Sequence, residues 1–123
     1  MIQKSKKLLL LDLCARLPYH PILNWKFTDN TSKDEELKEL SDLNVWWITK
    51  AQDCEVKPYL RPMSSMTEEE KKEYHKLCDN YYDVYFDSVA SLDWLNAHHF
   101  DYRGLIEKGL AIKVTDKNNP YKL

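Results

Sequence analysis

The chain has 123 residues, of which 43% are hydrophobic and 31% charged, and its 18 Lys+Arg against 20 Asp+Glu leave a net charge of −2. That length fits a single domain spanning 1–123, with a core that removes about two-thirds of the unfolded surface from water. The balanced charge excludes a broadly basic nucleic-acid surface and an acidic nucleic-acid mimic, and only 2 Gly, set singly at Gly104 and Gly109, exclude a phosphate-cradling loop.

Ser5 to Leu17 reads as a first helix. Leu8, Leu9, Leu11, Leu13 and Ala15 supply its apolar surface, Asp12 and Arg16 are expected on the wet side, and Pro18 stops it. The run Leu8–Leu11 is short and is followed by charge, so it is read as helix, not as a leader or a membrane span. Ile22, Leu23, Trp25 and Phe27 form a strand, and Asp29-Asn30-Thr31-Ser32 a turn. The segment 33–43 is open between helix and strand. Its Glu, Lys and Leu content favours a short helix taken alone.

Val45-Trp46-Trp47-Ile48-Thr49 is the clearest strand, apolar on both faces. Glu55 to Leu60 is a weaker one, with Pro58 at an edge or ending its pairing. Thr67 and Glu70 make a capping box for a helix running to about Asn80, with Tyr74, Leu77 and Cys78 inward. Tyr81 to Asp87 alternates aromatic with acidic residues. Ser88 or Ser91 caps the next helix, whose stripe is Val89, Leu92, Leu95 and His99. Asp101 caps a short helix ended by Gly109, and Leu110 to Val114 alternates as a last strand.

The strings Pro58-Tyr59-Leu60-Arg61-Pro62-Met63-Ser64-Ser65-Met66-Thr67-Glu68-Glu69-Glu70 and Leu92-Asp93-Trp94-Leu95-Asn96-Ala97-His98-His99-Phe100-Asp101-Tyr102-Arg103-Gly104-Leu105-Ile106-Glu107-Lys108-Gly109-Leu110-Ala111, with Leu11 to Tyr19, resemble a family of uncharacterised small proteins from prophages and mobile elements of Bacteroides-type bacteria. The resemblance implies a phage or mobile-element setting and no biochemical role. It also implies strands in the variable part 20–60, beside a helical part about 67–109.

The 3 Cys at Cys14, Cys54 and Cys78 are an odd count with no C-x-x-C spacing, read as reduced thiols of a cytoplasmic protein. His75 and Cys78, three apart on a helix, could reach one metal ion with His99. Adjacent His98 and His99 diverge by about 100° on a helix and cannot both face that ion. A helix-end histidine and a core thiol explain the same residues without metal. Cys14 and Cys78 on apolar faces are unreactive when buried, and the Asp79, Asp83, Asp87 row reads as a solvated face. No cofactor and no enzymatic activity are expected.

Trp46, Trp47, Tyr59 and Arg61 are the candidate binding surface, because aromatic residues and Arg dominate interface hot spots, with the filling of the core by the tryptophans, Trp46 above all, as the other reading. Tyr81, Tyr82, Tyr85 and Phe86 form a second aromatic group. Ser91 to Val114 can instead be read as a helix-turn-helix and strand, with Arg103 and Lys108 on DNA phosphates. The expectation is an α+β fold: an N-terminal helix, a small antiparallel sheet, with an SH3-like barrel as one form of it, C-terminal helices and a final short strand. Its expected function is a non-enzymatic protein-interaction module of a phage or mobile element, an inhibitor of a host defence system being the concrete version, with no membrane partner. The alternatives are a DNA-binding module and, behind it, a metal or thiol enzyme.

Overall fold

The computed structural model describes residues 3–27, 35–41, 54–82 and 84–121. Helix α1 (Gln3–Arg16) leads through a 3-10 turn at Leu17–Tyr19 into strand β1 (Ile22–Phe27), followed by β2 (Glu35–Glu39) and β3 (Cys54–Pro62). Helix α2 (Glu68–Leu77), a hairpin of β4 (Asp79–Tyr81) and β5 (Val84–Phe86), and helix α3 (Val89–Ala97) come next. Two-residue strands β6 (Phe100–Asp101) and β7 (Ile112–Lys113) close the order. The fold is α+β as expected, with an open sheet and no closed barrel among the described residues.

The body of the sheet, β2-β1-β3, is antiparallel, and β6 and β7 add parallel pairings to β3. Pairing with β1 runs as far as Leu23 opposite Pro58. Pro58 has no amide hydrogen to give, and from Tyr59 onward β3 pairs with β7 and then β6. The described part of 33–43 is a strand, not the short helix its composition favours. Glu39 lies opposite Ile22 and Leu37 opposite Asn24, and Leu40 N–H donates to Pro21 C=O at 2.9 Å. The open edge of β1 offers a full ladder of hydrogen bonds, which outweighs a helix propensity worth only tenths of a kcal/mol per residue.

Helix α1 corrects the expected phase. Asp12 and Arg16, expected in water, are fully buried, while Leu11 is 60% exposed and Cys14 is exposed. The buried stripe is Leu9, Asp12, Leu13 and Arg16, which keeps helical spacing with a charged pair inside it. Arg16 Nε donates to Asp12 Oδ2 at 2.7 Å and Arg16 Nη2 to Oδ1 at 3.1 Å and to Phe100 C=O at 2.6 Å. Arg103 Nη1 adds a second cation on Asp12 Oδ1 at 2.9 Å. A carboxylate with two guanidinium partners can be taken out of water because its lone pairs are satisfied.

That polar network sits between two apolar clusters. One gathers Leu9, Leu13, Leu23, Trp25, Leu40, Val56, Leu60, Leu105, Leu110 and Ala111 under the sheet. The other gathers Met66, Leu95 and Phe100, with Tyr74, Trp94 and Tyr102 packed on it. Arg16 joins them through Phe100 C=O, and Arg61 lies 4.1 Å over the Phe100 ring. Each fully buried Leu of these clusters contributes about 1.5–3 kcal/mol relative to exposure.

Candidate interaction surface

Both helices flanking the hairpin are fixed by capping boxes. Thr67 Oγ1 accepts from Glu70 N–H at 3.1 Å, and Glu70 Oε1 accepts from Thr67 N–H at 3.0 Å. Ser88 and Ser91 repeat the exchange at the start of α3, at 3.1 and 2.7 Å. Ser88 Oγ also donates to Leu77 C=O at 2.5 Å, so the N-terminus of α3 is tied to the end of α2. Tyr74 hydroxyl donates to Asp87 Oδ1, which also accepts from Ser91 Oγ at 3.1 Å. Burial and the neighbouring Asp87 carboxylate push the Tyr74 hydroxyl well above the ordinary phenol range, so it stays a donor.

The hairpin so clamped spans nine residues, Asp79 to Asp87. Asp79 pairs with Phe86, Asn80 with Tyr85 and Tyr81 with Val84. Alternation places Asn80 and Tyr85 on one face. That face meets α2, where the His75 ring stacks on Tyr85 with centroids 4.2 Å apart. The opposite face carries Asp79, Tyr81, Val84 and Phe86. Tyr81, Val84 and Phe86 are 67, 51 and 54% exposed, and Tyr82 at the tip is 85% exposed. Val89 at the start of α3, expected in its buried stripe, is exposed beside them in sequence.

Tyr82 has a positive φ of 50°. A non-glycine residue in the left-handed region costs about 1 kcal/mol or more, and turns that need it usually recruit Gly or Asn. Here a tyrosine holds the position and points its ring into solvent, against the edge of Tyr81 at 4.5 Å.

The other residues singled out in the sequence have different fates. Trp46 and Trp47, with the strand 45–49, lie outside the described residues. Tyr59 is buried in β3, where its hydroxyl accepts from Asn24 Nδ2 at 3.4 Å. Arg61 is held by both oxygens of Glu70, at 2.8 and 2.7 Å. That bidentate bond, with the Thr67 amide, outweighs the desolvation of the Glu70 carboxyl and holds it down to about 2. Tyr59 therefore serves the interior, and Arg61 is held at its margin by Glu70.

Arg103 donates to Asp12 and, at 2.9 Å, to the Tyr102 hydroxyl. The short helix expected after Asp101 is a set of turns. Asp101 still caps it, accepting from Leu105 N–H at 3.0 Å and Ile106 N–H at 2.9 Å. Gly109, at φ 73°, closes it as expected, with bonds from Gly109 N–H to Ile106 C=O and from Leu110 N–H to Leu105 C=O.

His75, Cys78 and His99 are not brought together, and among the described residues no group of three metal-ligating side chains forms. His75 stacks on Tyr85, Cys78 ends α2, and His99 stacks on Tyr121 at 3.9 Å. Burial, then the charges of Arg16, His98 and Arg61, pull His99 down to about 4. Among the described residues no helix is long and apolar enough to cross a membrane. No family model, curated protein or solved structure matches this chain.

Proposed function

We propose that the chain is a non-enzymatic protein-interaction module and that the hairpin 79–87 is its docking element. The observation that carries this reading is the exposed tyrosine-rich tip, with Tyr82 85% exposed in a left-handed turn. Aromatic side chains left in water gain free energy when a partner covers them, and they dominate interface hot spots. Backbone strain retained at an exposed position fits a role outside folding. In the phage or mobile-element setting implied by the resemblance, an inhibitor docking on a host defence protein is the concrete form. The nucleic-acid alternative draws little from the fold, because Arg103 is committed to Asp12 and Tyr102.

A photo-crosslinking residue placed at position 82 in cells tests the reading. The expected result is one dominant protein adduct, lost when unmodified chain is supplied in excess and absent when the crosslinker replaces exposed Lys117. Crosslinking from 117 to the same protein, or no competed adduct from 82, overturns it.

A further inference from the structure

The outward face of the hairpin is not only aromatic. Asp79 stands on it, in the cross-strand pair with Phe86 and two residues along the strand from Tyr81. Among the described residues the Asp79 side chain makes no hydrogen bond or ion pair, and Oδ2 of Asp87 is also without one. The chain from Leu77 to Tyr102 contains five Asp and no Lys or Arg. Lys76, in the last turn of α2, is the nearest lysine along the sequence, and His75 already covers one face of Tyr85.

Elsewhere the molecule pairs its aromatic faces with cations. Arg61 lies over Phe100 at 4.1 Å, Lys38 over Trp25 at 5.1 Å, and Arg103 over Tyr102 at 4.7 Å. Among the described residues no cation lies over Tyr81, Tyr82 or Phe86. Both outer edges of the two-stranded sheet are also unpaired there, so backbone donors and acceptors stand beside the rings.

We infer that this face takes an extended, arginine- or lysine-bearing segment of a partner protein, laid along the hairpin with its cations between the Asp79 carboxylate and the rings of Tyr81 and Phe86. The inference rests on the docking reading above and adds the chemistry of the partner. Ring faces and carboxylate both favour a guanidinium, and an extended segment can use the open strand edge. A phosphate backbone is repelled by the same aspartates. A second copy of the chain would bring like charges together.

The test is an amide NMR titration of the labelled full chain with two synthetic nine-residue peptides, one alternating Arg with Thr and the other Glu with Thr. The Arg peptide is expected to shift amides of 79–82 and 84–89, with affinity falling about threefold or more between about 50 and 200 mM salt. The Glu peptide is expected to shift none. Asp79→Asn weakens binding roughly three- to tenfold, and Asp79→Lys abolishes it and admits the Glu peptide. Unchanged amide positions outside the hairpin show that each variant is folded.

Equal response to both peptides, shifts centred on Glu68–Glu70, a hairpin response to duplex DNA, or shifts that depend on chain concentration alone overturn the inference. The two levels fail separately. A competed adduct from position 82 whose linked segment holds no Arg or Lys removes the cationic partner and keeps the docking element, whereas no competed adduct removes both.

Discussion

Helix α1 and the hairpin 79–87 invert the usual partition of side chains in opposite directions. In α1 a charged pair is inside: Asp12 and Arg16 are fully buried while Leu11 is in water. In the hairpin the aromatic residues are outside. The difference lies in what each set of side chains is held against. Asp12 has two guanidinium partners and Arg16 bonds to Phe100 C=O, so the buried charges hold two apolar clusters together. The hairpin's outward rings are half or more exposed, so part of their free energy is available to another molecule. Buried charge here serves the architecture, and exposed aromatic surface is where function is sought.

The largest effect that would break this comparison is at Arg16. Arg16→Ala leaves Asp12 buried with Arg103 alone and is expected to lower stability by about 3–5 kcal/mol in chemical denaturation. Replacing both partners, Asp12→Leu with Arg16→Met, should recover most of that loss. A double variant as unstable as the single one would show that the pair is not the source.

Arg61→Ala should cost about 1–2 kcal/mol, because it strips the bidentate partner from Glu70 and the cation from Phe100. Acid gives an effect of similar size through His99, whose neutral form the fold accepts. The unfolded chain takes up the proton near 6.5 and the folded one only near 4. Stability is therefore full above pH 6.5 and declines by about 1–2 kcal/mol as pH falls from 6.5 toward 4. Below pH 4.5 Glu70 adds a further decline down to about 2, since its folded value is the depressed one. His99→Asn keeps a residue tolerant of the φ of 63° and should flatten the melting temperature between pH 6.5 and 4.

The smallest effect sharpens the hairpin side. Tyr82→Gly relieves the left-handed strain and should raise stability by up to about 1 kcal/mol while weakening partner capture. A loss of stability instead would make Tyr82 a folding residue and remove it from the docking element.

Local rules read the sequence well where local chemistry decides. The Thr67–Glu70 box, the Ser88 cap, the Gly109 stop and the end of β1 pairing at Pro58 all follow from side chains within a few residues. They fail where a distant partner decides. Asp12 and Arg16 look like a wet face because their other partners, Phe100 and Arg103, lie more than 80 residues away. The strand at Glu35–Glu39 is made by the edge of β1, which composition does not show. The hairpin's aromatic group was visible in the sequence, but its exposure was not. Its signal is length: two three-residue strands between capped helices are too short to bury four rings.

Tyr121 carries one more consequence. Its hydroxyl accepts from Ile22 N–H at 3.0 Å and donates to Tyr59 C=O at 2.8 Å, and burial raises it to about 12. The opening amide of the first strand is thus completed by a residue 99 positions later. During synthesis that amide waits about 5–20 s for its partner to be added. That one amide stays unpartnered over that interval, and cleavage just before Tyr121 would leave it so for the life of the molecule.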